Sequence, residues 1–338
     1  MIRLVQLSNG KSRKVALVKE PDLLCLENYE SIYELAKASV RQGQHLTSYA
    51  LELARGIVLS YDDVYNARSE WHLLGPIDVP GDRTRVLVSG TGLTHLGSAK
   101  NRDAMHAAIS AQEFESITDS MKMFQSGIEG GRPRDGEIGA APEWFYKGNG
   151  GAIVAPFGPL TVPPYGEDGG EEAEIAGVYF IDENGTPFRI GFAAGNEFSD
   201  HEFERRNYLN LAGSKLRSCS VGPELVVGAK FDSITGTARI ERSGKPIWEK
   251  SIATGEENMC HSLANLEHHH FKFGGHREPG MVHVHFFGAH ALSVGDGIKL
   301  QDGDWMEVQF DGFGRALRNP IRFTPRTDNK LVEVEAML

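Results

Sequence analysis

The chain has 338 residues, with 35 Lys and Arg against 46 Asp and Glu, a formal net charge of −11, and 40% apolar residues. This is the composition of a folded, acidic protein long enough to bury a substantial core, one large domain with a smaller companion. Nucleic acid is not an expected partner, because no Lys/Arg-rich run is interleaved with aromatics, and no apolar stretch nears the roughly 20 residues that cross a bilayer.

Residues 1–6 alternate like a strand and lack the apolar core of a signal peptide, so the expected location is the cytoplasm. Strand-like pieces follow at 14–18 and 23–26. Helix-period segments come next at 31–41 and 47–59, with Ile32, Leu35, Ala36 and Val40 on one face of the first. A Pro/Gly/Asp-rich stretch at 75–82 breaks the pattern, which divides the chain into a small N-terminal α/β domain, 1–79, and a β-rich domain, 80–338. In the second domain the predicted strands are 86–88, 174–181, 189–194, 224–227, 237–241, 246–252, 281–287, 305–310 and 331–334, with turn signals such as Glu183-Asn184-Gly185 between them. Its clearest helix is predicted to start at Ser199, where Glu202 completes a Ser-x-x-Glu capping box, and to stop at Gly213. The run His268-His269-His270 reads as an exposed turn or strand edge, and Asp119 as a turn cap rather than a ligand. The fold class is α+β, rich in β-structure.

Cys25, Cys219 and Cys260 are odd in number, widely spaced and without Cys-x-x-Cys, which gives neither a disulfide framework nor a zinc knuckle. They read as reduced thiols. Several common motifs are missing. Gly90-x-Gly92 lacks the third glycine of a dinucleotide fingerprint, Gly213-Ser214-Lys215 lacks the upstream glycine of a phosphate loop, and His201-Glu202 lacks the second histidine of a zinc protease. The chemistry is left to carboxylates, histidines and lysines.

Glu172 and Glu174 are two apart at a strand start, so they share a face. Two carboxylates so placed protonate, hold a cation or lie in water. A third, Glu197, sits where the 189–194 strand runs into the helix start. Three oxygen donors and no cysteine suit a hard cation, Mg²⁺, Mn²⁺ or Ca²⁺.

Glu172-x-Glu174, the stretch 191–200 with Asn196-Glu197, and Lys215 beyond the helix together resemble the metal-binding core of the fumarylacetoacetate hydrolase superfamily. The resemblance spans about 85–325 and takes in 142–148 and the closing 303–320. It implies a mixed β-roll, a bound divalent ion (Mg²⁺, or Mn²⁺ or Ca²⁺), and a homodimer or higher assembly. Two departures matter. The superfamily's hydrolases carry His-x-x-Glu after the first core strand, whereas His95 is followed at that spacing by Ser98 and His106 by Ile109; and the usual Thr-Gly-Thr-Pro stretch is replaced by 285–289. The pattern is most similar to the branch that dehydrates 2-keto-3-deoxy sugar acids of the pentonate type. On that resemblance Lys215 is a proton-transfer group, and Lys147 binds the substrate carboxylate or makes the complementary proton transfer. Arg102 is a further positive charge, and His285 is part of the substrate pocket. Thr91 and Gly92, in a segment rich in N–H groups and hydroxyls, would contact substrate hydroxyls or simply form a tight turn. The product for a pentonate is 2,5-dioxopentanoate. The competing readings are a C–C hydrolase of acylpyruvates or 2,4-diketo acids, and a sugar-acid-binding protein without turnover.

Overall fold

The fold is described from a computed structural model, for residues 1–96 and 118–337. Its frame is a thirteen-stranded sheet and a five-stranded one. Ile2–Ser8 pairs antiparallel with Leu225–Val227, so the N-terminal strands extend the same sheet that carries Pro187–Asn196, Ala173–Ile181, Val282–Phe286, Val86–Gly92 and Glu143–Asn149 in that spatial order. Pairing is mixed, since Val282–Phe286 runs parallel to Val86–Gly92 while Ala173–Ile181 pairs antiparallel with Pro187–Asn196. This is an α+β, β-rich architecture.

Alternation sorts the side chains of Ala173–Ile181 onto two faces. Ala176, Val178 and Phe180 pack with Val88, Val284 and the apolar stripe Ile32, Leu35 and Ala36 of the helix Ile32–Arg41, whose N-terminus Ser31 caps through the Glu34 N–H at 3.2 Å. Ile175, Tyr179 and Ile181 face the other way, onto Ile240, Met306, Val308 and Phe310 of the smaller sheet. The central strand is therefore buried on both sides, as its nearly unbroken apolar run 175–181 requires.

The second helix-period segment ends early. The helix is Leu46–Leu53, and Val58–Ser60 is a short edge strand against Asp22–Cys25, because Gly56 brings the chain back onto the Cys25 carbonyl at 2.9 Å. The 331–334 segment forms no strand; among the described residues its alternating positions pair with no strand, and Leu331, Val332 and Val334 are exposed. The triple histidine is helical rather than an exposed turn or edge. It lies in Leu263–Phe271, capped by Ser262, and the helical period turns His269 and His270 inward. Asp119 opens the helix Asp119–Gly130 at the surface, paired with Lys122 at 2.9 Å. All three cysteines are free. Among the described residues no helix is long and apolar enough to cross a membrane.

The inward histidines form a buried cluster. Trp144 Nε1–H donates to His270 Nδ1 at 3.2 Å, which leaves His270 Nε2–H to donate to His283 Nδ1 at 2.9 Å; His285 stacks on His270 with centroids 4.3 Å apart, and His276 lies 4.9 Å from His270. Burial, then the neighbouring His276, pushes His283 down to about 3. Below about pH 6.5 the unfolded chain takes up a proton at this position that the folded chain refuses, so folding stability falls as pH drops from there towards 3. Between pH 7 and pH 5 denaturant titrations are expected to show wild type losing about 2 kcal/mol more than His283→Asn, a variant that keeps an acceptor for His270 but cannot titrate. Equal losses in the two proteins would contradict a neutral, buried His283.

Candidate metal centre

Glu172, Glu174 and Glu197 are all buried, and one oxygen from each lies within 4.8 Å of the other two. The backbone pairing brings them there. Glu174 stands opposite Gly195 and Ala173 opposite Asn196, and the ladder continues one step to a Glu197 N–H donating to the Glu172 carbonyl at 2.9 Å. Opposed residues share a face, so Glu197 arrives beside the two glutamates that alternation has already placed together. Asn196 Oδ1 ties both sides, accepting from the N–H groups of Glu172 and Phe198 at 3.2 Å each. Phe198 adopts φ +28°, a conformation that costs a non-glycine residue about 1–3 kcal/mol, and its carbonyl accepts from Lys147 Nζ.

Ser199 does not cap a helix. It points into the centre, donating to Glu197 Oε2 at 3.0 Å and accepting from Lys215 Nζ at 2.9 Å. The cap is Asp200, which accepts from the Phe203 N–H at 3.0 Å, and the helix it starts is only His201–Arg206. A turn at Tyr208–Asn210 separates it from the short helix Leu211–Ser214, so no single helix runs to Gly213. The break delivers Lys215 back to the carboxylates, where Nζ donates to Glu172 Oε1 at 2.5 Å and to Glu197 Oε2, and lies 4.8 Å from the Phe145 ring centre. Lys147 meets Glu197 Oε1 at 2.7 Å. His201 Nε2 meets Glu172 Oε1 at 3.1 Å, and Gly288 N–H donates to Glu174 Oε2 at 2.6 Å.

Both lysines and all three glutamates are nearly or wholly inaccessible, so their charges must balance locally. Three carboxylates against two ammonium groups do not. Burial, followed by the charges of Glu172 and Glu197, pushes the Glu174 carboxyl well above its usual range. Burial also raises Glu197, against the pull of Lys147 and Lys215, and lowers Lys147 despite Glu197. An acidic triad in this state gains from a cation, and its donors, all carboxylate oxygens, fit a hard divalent ion.

Other candidate residues lie elsewhere. His285 pairs with Gly177, whereas Glu174 has the parity of Ala176 and Phe286, so His285 is on the opposite face of the sheet, bonded to Ser89 Oγ at 2.9 Å and stacked on His270. Thr91 is on that face too, by its register with Ser89, and its hydroxyl donates to the Phe286 carbonyl at 3.3 Å; Gly92 ends the strand. His95 is buried between Thr94 and Thr254 hydroxyls, and burial lowers it to about 3. Ser98, Arg102, His106 and Ile109 lie outside the described residues.

No protein-family model matches the sequence, and no curated protein matches it either. Solved structures do. A 2-keto-3-deoxy-D-arabinonate dehydratase complexed with magnesium and 2,5-dioxopentanoate aligns over 96% of this chain and 99% of its own, with TM-score 0.69 and 17% identity. Fumarylacetoacetate hydrolase from psychrophilic Exiguobacterium antarcticum aligns over 96% and 100%, with TM-score 0.58 and 17% identity. The chain has the fumarylacetoacetate hydrolase fold. A 5-carboxymethyl-2-hydroxymuconate delta-isomerase from Mycobacterium smegmatis also shares it, over 95% and 100% at TM-score 0.55 and 15% identity. At such identities the likeness is one of fold, and this fold carries dehydratase, isomerase and hydrolase activities alike.

Ser199, His201 and the Gly288 N–H belong to the centre although the sequence pattern does not mark them. Ser199 stands in a capping-box pattern that hides its inward turn, and the roles of His201 and Gly288 depend on contacts 29 and 114 residues away. Within the fumarylacetoacetate hydrolase fold the centre occupies one end of the central hairpin, where strand pairing rather than loop sequence sets its geometry.

Proposed function

We propose that the protein is a metal-dependent hydro-lyase that removes water from a 2-keto-3-deoxy-pentonate, giving 2,5-dioxopentanoate. The observation that carries this reading is the meeting of three buried glutamates with two buried lysines at one centre. Likeness to a dehydratase solved with magnesium and 2,5-dioxopentanoate supports the choice of substrate class.

Glu172, Glu174 and Glu197 would hold Mg²⁺, or Mn²⁺ or Ca²⁺, and such an ion supplies Lewis acidity to an α-oxo acid. The reaction breaks the C3–H and C4–O bonds, releases the C4 hydroxyl as water after protonation, and leaves a 5-hydroxy-2-oxo-3-enoate; moving its C5 proton to C3 gives an enol, and moving that enol's hydroxyl proton to C4 gives the aldehyde. Lys215, in contact with Glu172, Glu197 and Ser199, is the proton-transfer residue, with the Ser199 hydroxyl able to pass a proton between lysine and carboxylate. Lys147 is ion-paired to Glu197 and donates to the Phe198 carbonyl, and its ammonium group is the cation for the substrate carboxylate. The burial of all five groups excludes bulk water, which favours elimination over hydrolysis.

The test is direct. Purified protein with Mg²⁺ and 2-keto-3-deoxy-pentonate is expected to yield 2,5-dioxopentanoate, read by coupled oxidation of the aldehyde, and to release no pyruvate from acylpyruvates. Pyruvate release with no semialdehyde would replace this reading by C–C hydrolysis; substrate binding by calorimetry with no product would make the protein a sugar-acid binder.

A further inference from the structure

His201 is buried to 2% exposure, is the first residue of its helix, and lies where no proton transfer has been assigned. The backbone that carries it is fixed and its ring is packed. Asp200, the cap beside it, accepts from Arg217 at 2.6 Å, from Glu167 N–H at 2.9 Å and from Phe203 N–H at 3.0 Å, which fixes the helix start. Ser199, two residues back, exchanges both backbone hydrogen bonds with Gly170 at 3.0 Å. Gly170 in turn forms the floor under the imidazole, since a Cβ there would stand 2.1 Å from Nδ1 and 2.4 Å from Cε1. Real atoms do not approach so closely, and neither the paired backbone nor the rigid ring has room to yield.

The ring nitrogens are used unequally. Nδ1 is buried without a hydrogen-bond partner, and Nε2 faces Glu172 Oε1 at 3.1 Å. A carboxylate only accepts, so the proton belongs on Nε2. The ring therefore has one directed contact, and it is made to a residue of the acidic triad.

We propose that His201, seated on Gly170, is a positioning residue that holds the Glu172 carboxylate in the rotamer that meets Glu174 and Glu197. Gly170 is required for this because it alone leaves the imidazole its place. Its backbone is not in the left-handed region, so alanine there is excluded by the ring and by nothing else. The inference rests on the triad as a cation site. Oriented outer contacts of this kind typically set metal affinity by about 10- to 100-fold.

The full chain and its variants can be titrated with Mn²⁺ alone, following free Mn²⁺ by electron paramagnetic resonance, with melting in chelator as the check on folding. His201→Phe fills the space without an N–H and is expected to weaken Mn²⁺ binding about 10- to 100-fold, and His201→Gln, with an amide N–H at comparable reach, to recover most of it. Gly170→Ala should lose as much as His201→Phe. In a His201→Ala background the same Gly170→Ala change should cost nothing further, because no ring remains to be displaced. Wild-type affinity in His201→Phe, or independent additive losses at 170 and 201, would overturn the proposal. Wild-type protein that binds no Mn²⁺ at all would instead remove the carboxylate centre on which it stands.

Discussion

Lys215→Met is expected to lower kcat by about 100- to 10,000-fold while leaving Mg²⁺ binding undiminished. The side chain is wholly buried and its ammonium group contacts Glu172, Glu197 and Ser199, so methionine keeps the volume and removes only the charge and the N–H donors. Three carboxylates would then face one ammonium group, that of Lys147. Without metal the variant should be less stable, since removing one member of a buried ion pair typically costs about 3–5 kcal/mol. A divalent cation relieves that excess charge, so melting in saturating Mg²⁺ should recover most of the loss. Single-turnover kinetics with a 2-keto-3-deoxy-pentonate would check the rate and calorimetry the ion. Undiminished turnover would show that Lys215 moves no proton.

Glu174→Gln should separate stability from metal binding in the opposite sense. The amide can still accept from the Gly288 N–H, and the change removes the carboxylate that burial and its two neighbours most oppose. In chelator the variant should therefore melt at a higher temperature than wild type. Its affinity for Mg²⁺ should fall by more than the roughly 10- to 100-fold of an outer contact, and turnover at physiological Mg²⁺ should fall with it. A variant that lost stability and kept its metal would contradict the three-carboxylate centre.

How much of this was legible beforehand follows from which interactions are local. Glu172 and Glu174 are placed on one face by alternation and Glu197 at the junction of strand and helix, but that it shares their face depends on a register shift at Val178/Tyr179 that nothing local announces. The strand Glu143–Asn149 also has period two, with Glu143, Phe145 and Lys147 turned inward, but two charged residues among three buried positions disguise it as surface. The helix after Asn196 is not legible locally, because Ser199 and Asp200 are both good caps and only the distant Lys215 and Arg217 decide which one caps. The helix through the histidines at 268–270 is hidden because three identical residues carry no period, and the cap at Ser262 lies six residues upstream. For His285 likeness of position points to the pocket, whereas the parity of Val282–Phe286 sends it the other way.

That parity has an evolutionary corollary. One strand, Val282–Phe286, presents imidazoles to one compartment and Val284 and Phe286 to the other, with a single thickness of peptide between a nitrogen-rich layer and the apolar one that shares its face with Glu174. Deleting or inserting one residue in the turn before it would exchange the two sets, swinging His283 or His285 towards the glutamates. A mixed nitrogen and oxygen donor set selects softer ions such as Zn²⁺, so a frame-preserving indel of one codon could redirect the protein's choice of element without altering any ligand it now uses.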